Sequence, residues 1–409
     1  MQTGPVQTME GVRVLEVAEH TFVPAASAIL ADWGADVIKI EHAERGDAMR
    51  GLARTGVLDL SKGVHVLLEH SNRGKRSIGI DLAKPEGLEV AYAIARTADV
   101  FLTNKLPGAL ERLKIDEAHI RKQNPNIIYV RGTAFGPKGP DRDKGGYDAT
   151  AFWCRGGSAD ASTIPGRDVP MQPAPAYGDS IGGMTIAGGI AAALFRRERT
   201  GVAGSVDVSL LATGAWAMSA AIALSMQQQR PWRAAALAGG GIGNPLVSLY
   251  KTSDDRFLSL VMLQGFAYWP DFCQHIGRPD LVADPRFASH EKLFANAAEA
   301  KGIIQQEIGS RPLKEWIERF ATLRGQWTVV QDTLEIAADP QMRANGYLVG
   351  AETRAGTPFE LIASPVQFDG EPGRTRRAPE FNEHGDEILA ELGLTQERVL
   401  ELKIAGAIA

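Results

Sequence analysis

Cysteine is scarce. Among 409 residues there are only Cys154 and Cys273, far apart and in neither a CxxC nor a Cys/His spacing. That excludes a disulfide framework and a cysteine-rich zinc site as organising features, reads Cys154 as a small buried residue, and fits a reducing cytoplasm. No block of like charge occurs either: 44 Lys and Arg against 49 Asp and Glu leave a net charge of −5, which argues against a nucleic-acid partner. Residues 1–10 carry neither a basic nor an apolar export segment, so export is not expected. The longest apolar stretches, 181–195 and 210–226, are interrupted by Gly, Ser and Thr and fall near or below the ~20 residues of a membrane span. They read as buried helices serving a large core or a subunit interface, with no membrane partner.

What is present is a long chain, 44% hydrophobic, longer than one hydrophobic core usually spans, so two domains are expected. The first third alternates β-branched runs with helical stretches, the pattern of a parallel sheet covered by helices. Strands are predicted over 12–18, 36–41, 77–81, 100–104 and 127–133, helices over 24–33 and 85–96, and a short helix near Ala109. The first strand-to-helix turn, Ala18-Glu19-His20-Thr21-Phe22-Val23, contains no glycine. Without glycine the backbone cannot approach a pyrophosphate there, so an ordinary dinucleotide fold is not expected.

Residues 132–178 are rich in Gly, Pro, Asp and Ser and read as long loops around a helical piece near 148–155. Composition shifts again at 227–245, taken as the crossing into a second domain. A hairpin is expected over 246–263, helices through Phe320, extended chain over 346–369 and a helix over 386–402.

Asp179 stands in Tyr177-Gly178-Asp179-Ser180, just before a long apolar helix. An aspartate there is ordinarily an N-cap. The same helix end favours negative charge, so the carboxylate is also expected to stay ionised and available as a nucleophile, with glycines leaving room for a substrate. The Gly239–Gly243 run is either a linker or a loop whose N–H groups face an oxyanion. Asn72-Arg73-Gly74-Lys75-Arg76 places cations at a strand entrance, suited to a phosphate or to plain solvent. Lys105 and Arg112 could serve the same anion. His20 and His42 fall at strand ends, positions that could flank a ligand, but neither has a ligand-spaced partner, and no metal is expected.

Several segments in fixed order carry a resemblance: Gly11-Val-Arg-Val-Leu-Glu16, Leu30-Ala-Asp-Trp-Gly-Ala-Asp-Val-Ile-Lys-Ile-Glu41, Asn72-Arg-Gly-Lys-Arg-Ser-Ile78, Asn104-Lys-Leu-Pro-Gly108, Gly178-Asp-Ser180, Arg199-Thr-Gly201, Val206-Asp-Val-Ser209, Asp284-Pro-Arg-Phe287 and Asp386-Glu-Ile-Leu-Ala-Glu-Leu-Gly393. Each is weak alone. Together, from end to end, they are similar to the class III CoA-transferase family, the CaiB/BaiF or formyl-CoA transferase-like proteins.

The resemblance implies an α/β fold: a large doubly wound parallel-sheet domain built from both chain ends, a smaller α+β domain from the middle, and an interlocked-ring homodimer. The corresponding boundaries are 1–226, 227–345 and 346–409. It implies transfer of coenzyme A from an acyl-CoA to a carboxylic acid, with Asp179 as nucleophile through aspartyl anhydride and aspartyl-CoA thioester intermediates. Coenzyme A is then substrate, with no tightly bound cofactor. By motif position, Gly240 and Gly241 cover the intermediate, and Thr21, Phe22, His42, Asn72, Arg73, Gly74, Lys75, Asn104, Lys105, Leu106 and Arg112 contact CoA. Formyl-CoA-type members carry Gln-Ala after the first strand and Arg after the second, where this chain has Thr21-Phe22 and His42.

Two rivals remain open. The α-methylacyl-CoA racemases of the same superfamily show Gly-His-Asp where this chain has Gly146-Tyr147-Asp148, and Tyr147 lacks a base titrating near neutrality. A non-catalytic acyl-CoA-binding protein would keep the fold without need of Asp179.

Overall fold

Short runs rich in aliphatic and β-branched residues form the strands of a sheet covered on both sides. In the computed structural model, which describes residues 7–52, 63–163, 169–234 and 243–409, these are β1 (Arg13–Val17), β2 (Asp36–Glu41), β3 (Arg76–Gly79), β4 (Val100–Thr103), β5 (Ile128–Thr133) and β6 (Ser205–Ser209). They pair in parallel in the order β3-β2-β1-β4-β5-β6. Val14 of β1 lies opposite Val37 of β2 on one side and Val100 of β4 on the other. The order reverses between β1 and β4, so chain leaves these two strands toward opposite faces and their carboxyl ends open a crevice. The sixth strand escaped the sequence reading, because Ser205-Val-Asp-Val-Ser209 alternates and has only two apolar residues.

One face of the sheet is covered by helices Phe22–Asp32 and Tyr177–Thr200, whose Val23, Ala26, Ile29, Ile186 and Ile190 share a core with Val14, Val100 and Val130. The other is covered by Pro85–Thr97 and by the chain's end, Gly385–Glu391 and Gln396–Ile404, through Ile94, Ile388 and Leu402. The two helices of the first face approach closely because glycine allows it. A Cβ at Gly182 would lie 2.3 Å from Phe22 Cε2, and one at Gly183 would lie 3.2 Å from Phe22 O.

The chain clusters into two compact units, Met1–Asp160 with Pro170–Gln228 and Pro340–Ala409, and Ala161–Val169 with Gln229–Asp339. The first includes a hairpin of β10 (Leu348–Glu352) and β11 (Pro358–Ile362), and Trp33 Nε1 donates to Ser364 Oγ at 3.0 Å. The second has the antiparallel sheet β7 (Val247–Lys251), β8 (Phe257–Val261) and β9 (Trp327–Val329), with Trp269, Phe272, Trp316 and Phe320 in its core.

The apolar stretches depart from expectation. The first is helical over Tyr177–Thr200, but only one stripe of it is buried. The second breaks into Leu210–Ala217 and Ser219–Gln228, bent by 70°, and Ser219–Gln228 has no buried residue. Trp216 (79%) and Met226 (64%) are largely exposed.

Candidate active site at the strand ends

Asn104, just past β4, ties the two sides of the crevice together. Its Nδ2 donates to the Glu19 carbonyl at 2.7 Å, and its Oδ1 accepts the Glu19 N–H at 3.2 Å. Lys105 Nζ pairs with the Glu19 carboxylate at 2.6 Å. Beside them, a cavity of about 310 Å³ is lined by His42, Arg45, Lys105 and Arg112. Arg45 and Arg112 enter no ion pair among the described residues, so their guanidinium groups remain available to an anion. A second cavity of about 770 Å³ shares Glu19, Lys105 and Ala109 with the first and reaches His20, Phe22, Leu106, Tyr147 and Asp179.

Beneath the crevice lies a buried ion cluster. Lys39 Nζ sits 2.7 Å from both Glu16 Oε1 and Asp47 Oδ2 and donates to the Ala18 carbonyl at 2.7 Å. Burial opposes its charge, but Asp47 and Glu16 together raise its pKa above the ordinary lysine value. Asp47 in turn accepts the backbone N–H of His20 at 3.1 Å and that of Met49 at 2.8 Å. His20 has φ of 67°, a left-handed conformation that few side-chain-bearing residues adopt, and the Asp47 contact holds it there. Its ring meets Tyr147 edge to face, with centroids 5.6 Å apart.

The basic run 72–75 is drawn into this interior, which corrects the expectation that it faces a phosphate. Lys75 Nζ bonds Glu16 Oε2 at 2.7 Å, the Pro24 carbonyl at 2.9 Å and Asn72 Oδ1 at 3.0 Å. Burial pushes its pKa down to about 7, with Glu16 working against that shift. Arg73 forks onto Asp32, its Nε and Nη2 2.9 and 2.8 Å from Oδ2. Gly74 has φ of 75°, with Ala31 Cβ 3.0 Å from where its own Cβ would be. A cation in a dry interior needs its carboxylate, and Lys75 commits all three of its N–H donors to Glu16, Pro24 and Asn72.

Asp179 is the third residue of helix Tyr177–Thr200, not its cap; the cap position is Ala176, with φ of 56° and no side-chain bond. Gly178 is required beside it, because a Cβ there would lie 2.4 Å from Phe152 Cγ. The half-buried carboxylate has no hydrogen-bond partner among the described residues. Burial first, and the Asp148 carboxylate second, push its pKa up to about 7. The expectation of a fully ionised group is thereby corrected: loss of water outweighs a helix end that offers no direct bond. Asp148 opens the π-helical turn Asp148–Cys154, and its carboxylate accepts from Ala149 N and Gln172 Nε2, both at 2.7 Å.

Of the other expected contacts, His42, Lys105 and Arg112 line the first cavity, and Phe22, Asn104, Lys105 and Leu106 the second. Thr21 is buried and lines neither. Gly240 and Gly241 lie outside the described residues. Cys154, expected inside, is exposed. The sequence reading missed Arg45 and gave Asp148 a place only in the racemase reading. The position of Arg45 just beyond β2, at the ligand-binding edge of such a sheet, was the available signal for it.

Residues 9–385 match the model of CoA-transferase family III. The chain is 29% identical to the (R)-2-hydroxy-4-methylpentanoate CoA-transferase of Clostridioides difficile, over 97% of this chain and 98% of that protein. It is 31% identical to the cinnamoyl-CoA:phenyllactate CoA-transferase of Clostridium sporogenes, over 96% and 95%. In structure it is similar to a CaiB/BaiF family protein from Brucella suis, with a TM-score of 0.79 and 26% identity, over 94% of this chain and 99% of that one. The chain belongs to CoA-transferase family III.

Proposed function

We propose that this protein moves coenzyme A from an acyl-CoA donor to a carboxylic acid acceptor, with Asp179 as the group that carries the acyl. The observation that carries this reading is the placement of Asp179 in a cavity that shares Glu19 and Lys105 with a cationic cavity at the strand ends. The cationic cavity accepts the phosphates of CoA through Arg45 and Arg112, and the second takes pantetheine and acyl group. Such a division suits a ligand with one polyanionic end and one reactive thioester.

An Asp179 oxygen attacks the thioester carbonyl and the C–S bond breaks, giving a mixed anhydride and CoA thiolate. The thiolate attacks the aspartyl carbonyl, releasing the first acid and leaving an aspartyl-CoA thioester. The acceptor carboxylate attacks that thioester, and the thiolate, freed again, takes the new acyl group and restores the Asp179 carboxylate. Every step exchanges one activated acyl bond for another, and the residues chiefly position the partners. A carboxylate with a pKa near 7 is about half ionised at neutrality and more basic than an ordinary aspartate, which strengthens it as a nucleophile.

The assembly proposed is an interlocked homodimer. The uncovered apolar side chains of Trp216, Ile222, Leu224 and Met226 supply the kind of surface a partner subunit would bury.

Asp179→Ala should abolish CoA exchange while leaving the protein folded. Hydroxylamine added with acyl-CoA should leave a hydroxamate at Asp179 in a peptide map. Native-rate transfer by the variant, or a modification mapped elsewhere, removes Asp179 from this role.

A further inference from the structure

The helix carrying Asp179 begins with a left-handed alanine, a start that needs an outside hold. Ala176 has φ of 56° and no side chain able to cap. Its carbonyl accepts both the Ser180 N–H and the Ser180 hydroxyl, each at 2.9 Å. With its proton committed there, the Ser180 oxygen offers a lone pair, and His70 Nε2 stands 3.1 Å from it. The donor is therefore the Nε2–H tautomer of His70.

His70 is itself fixed from behind. Arg73 Nη1 donates to its carbonyl at 2.6 Å, and Arg73 is clamped on Asp32. A continuous chain of bonds thus runs from helix Phe22–Asp32, through helix Val66–Asn72, to the first turn of helix Tyr177–Thr200. Ser180 and Asp179 are adjacent but face different spaces. Ser180 and His70 line an apolar cavity with Ile181 and Met184, whereas Asp179 lines the cavity containing Tyr147.

We infer that His70 and Ser180 form a positioning pair that sets the direction of the Asp179 carboxylate from the far side of its helix. The pair touches no reacting atom and acts only through the backbone of residues 176–180. Burial, and after it Arg73, lower the His70 pKa to about 4, so the ring is neutral under working conditions and the bond is the same throughout. The inference rests on Asp179 being the nucleophile, and its test separates the two.

His70→Leu should lower kcat about 10- to 100-fold, the range that a small misplacement of a reacting group costs, with KM for acyl-CoA within about twofold of native. His70→Gln, which restores an N–H near the same place, should recover most of the lost kcat. Ser180→Ala removes the same bond with little change of volume and should repeat the His70→Leu effect even if His70→Leu folds poorly. In the hydroxylamine experiment the rate of labelling at Asp179 should fall in parallel. Native kcat in Ser180→Ala overturns the inference, as does a His70→Gln variant no better than His70→Leu. Labelling away from Asp179 in the native enzyme overturns instead the assignment of the nucleophile.

Discussion

The Asp148 carboxylate, held by Gln172 at 2.7 Å, stands where its charge opposes ionisation of Asp179. Burial is the larger obstacle to that ionisation, and the like charge of Asp148 adds to it. Asp148→Asn removes the like charge and keeps the shape. The acid limb of the kcat/KM profile for acyl-CoA should move to lower pH, without reaching the ordinary aspartate value of 3.8, because burial is the larger cause. An acid limb that stays in place would show that Asp148 does not act on the titrating group.

The raised pKa of Asp179 has a cost in stability with a definite sign. Below 3.8 the carboxyl is protonated in both folded and unfolded chains; between 3.8 and about 7 the unfolded chain ionises first. Folding is therefore favoured at low pH by this group, and that favour is lost as pH rises through 7. Asp179→Asn should be more stable than the native protein at pH 8 by about 2–4 kcal/mol, the upper figure corresponding to the full shift before solvent screening. The gain should shrink toward pH 4. Urea unfolding at the two ends of that range measures it.

Lys39 neutralises Glu16 and Asp47 at once, and both carboxylates lie below their ordinary pKa although burial alone would raise them. Such groups stabilise the fold above their unfolded pKa values, and the contribution is lost as pH falls through the lower folded ones. Lys39→Met leaves Asp47 buried without its cation and Glu16 with Lys75 alone, and should cost about 3–5 kcal/mol. It should also move acid unfolding to higher pH, read by circular dichroism along an acid titration. Because Asp47 holds the His20 turn, the variant should bind acyl-CoA less well even where it remains folded.

Arg45 and Arg112 are the cations of the first cavity without an ion pair among the described residues, whereas Arg73 is spent on Asp32. Arg45→Ala and Arg112→Ala should each raise KM for acyl-CoA about tenfold, the worth of one charge-assisted bond, with kcat nearly unchanged. Arg73→Ala should reduce stability instead. Steady-state kinetics beside a melting curve distinguishes the two patterns, and an unchanged KM in both cavity variants would move the phosphates elsewhere.

Strand residues such as 36–41 were legible because Val37, Ile38 and Ile40 crowd β-branched side chains into a short run between a Trp-Gly turn and a polar loop. Asp179 was a candidate on the strength of its neighbours Gly178 and Ser180. Arg73 and Lys75 were misread, since a basic turn and a buried ion pair have the same local sequence. The difference lies in Asp32 and Glu16, 41 and 59 residues away along the chain. Helix Val66–Asn72 was missed for a related reason: His65 caps it, a residue seldom read as a start signal.

The sequence by itself determined the alternation of strands and helices, the missing glycines at the first turn and the acid at the start of the long helix. All of these are local, set by periodicity and backbone freedom within a few residues. Only the tertiary structure decided which charges are spent inside, that the Asp148 charge acts on Asp179, and that His70 reaches Ser180 from 110 residues away. Charge and proton affinity depend on what lies within a few ångströms, and in this fold those neighbours come from distant parts of the chain.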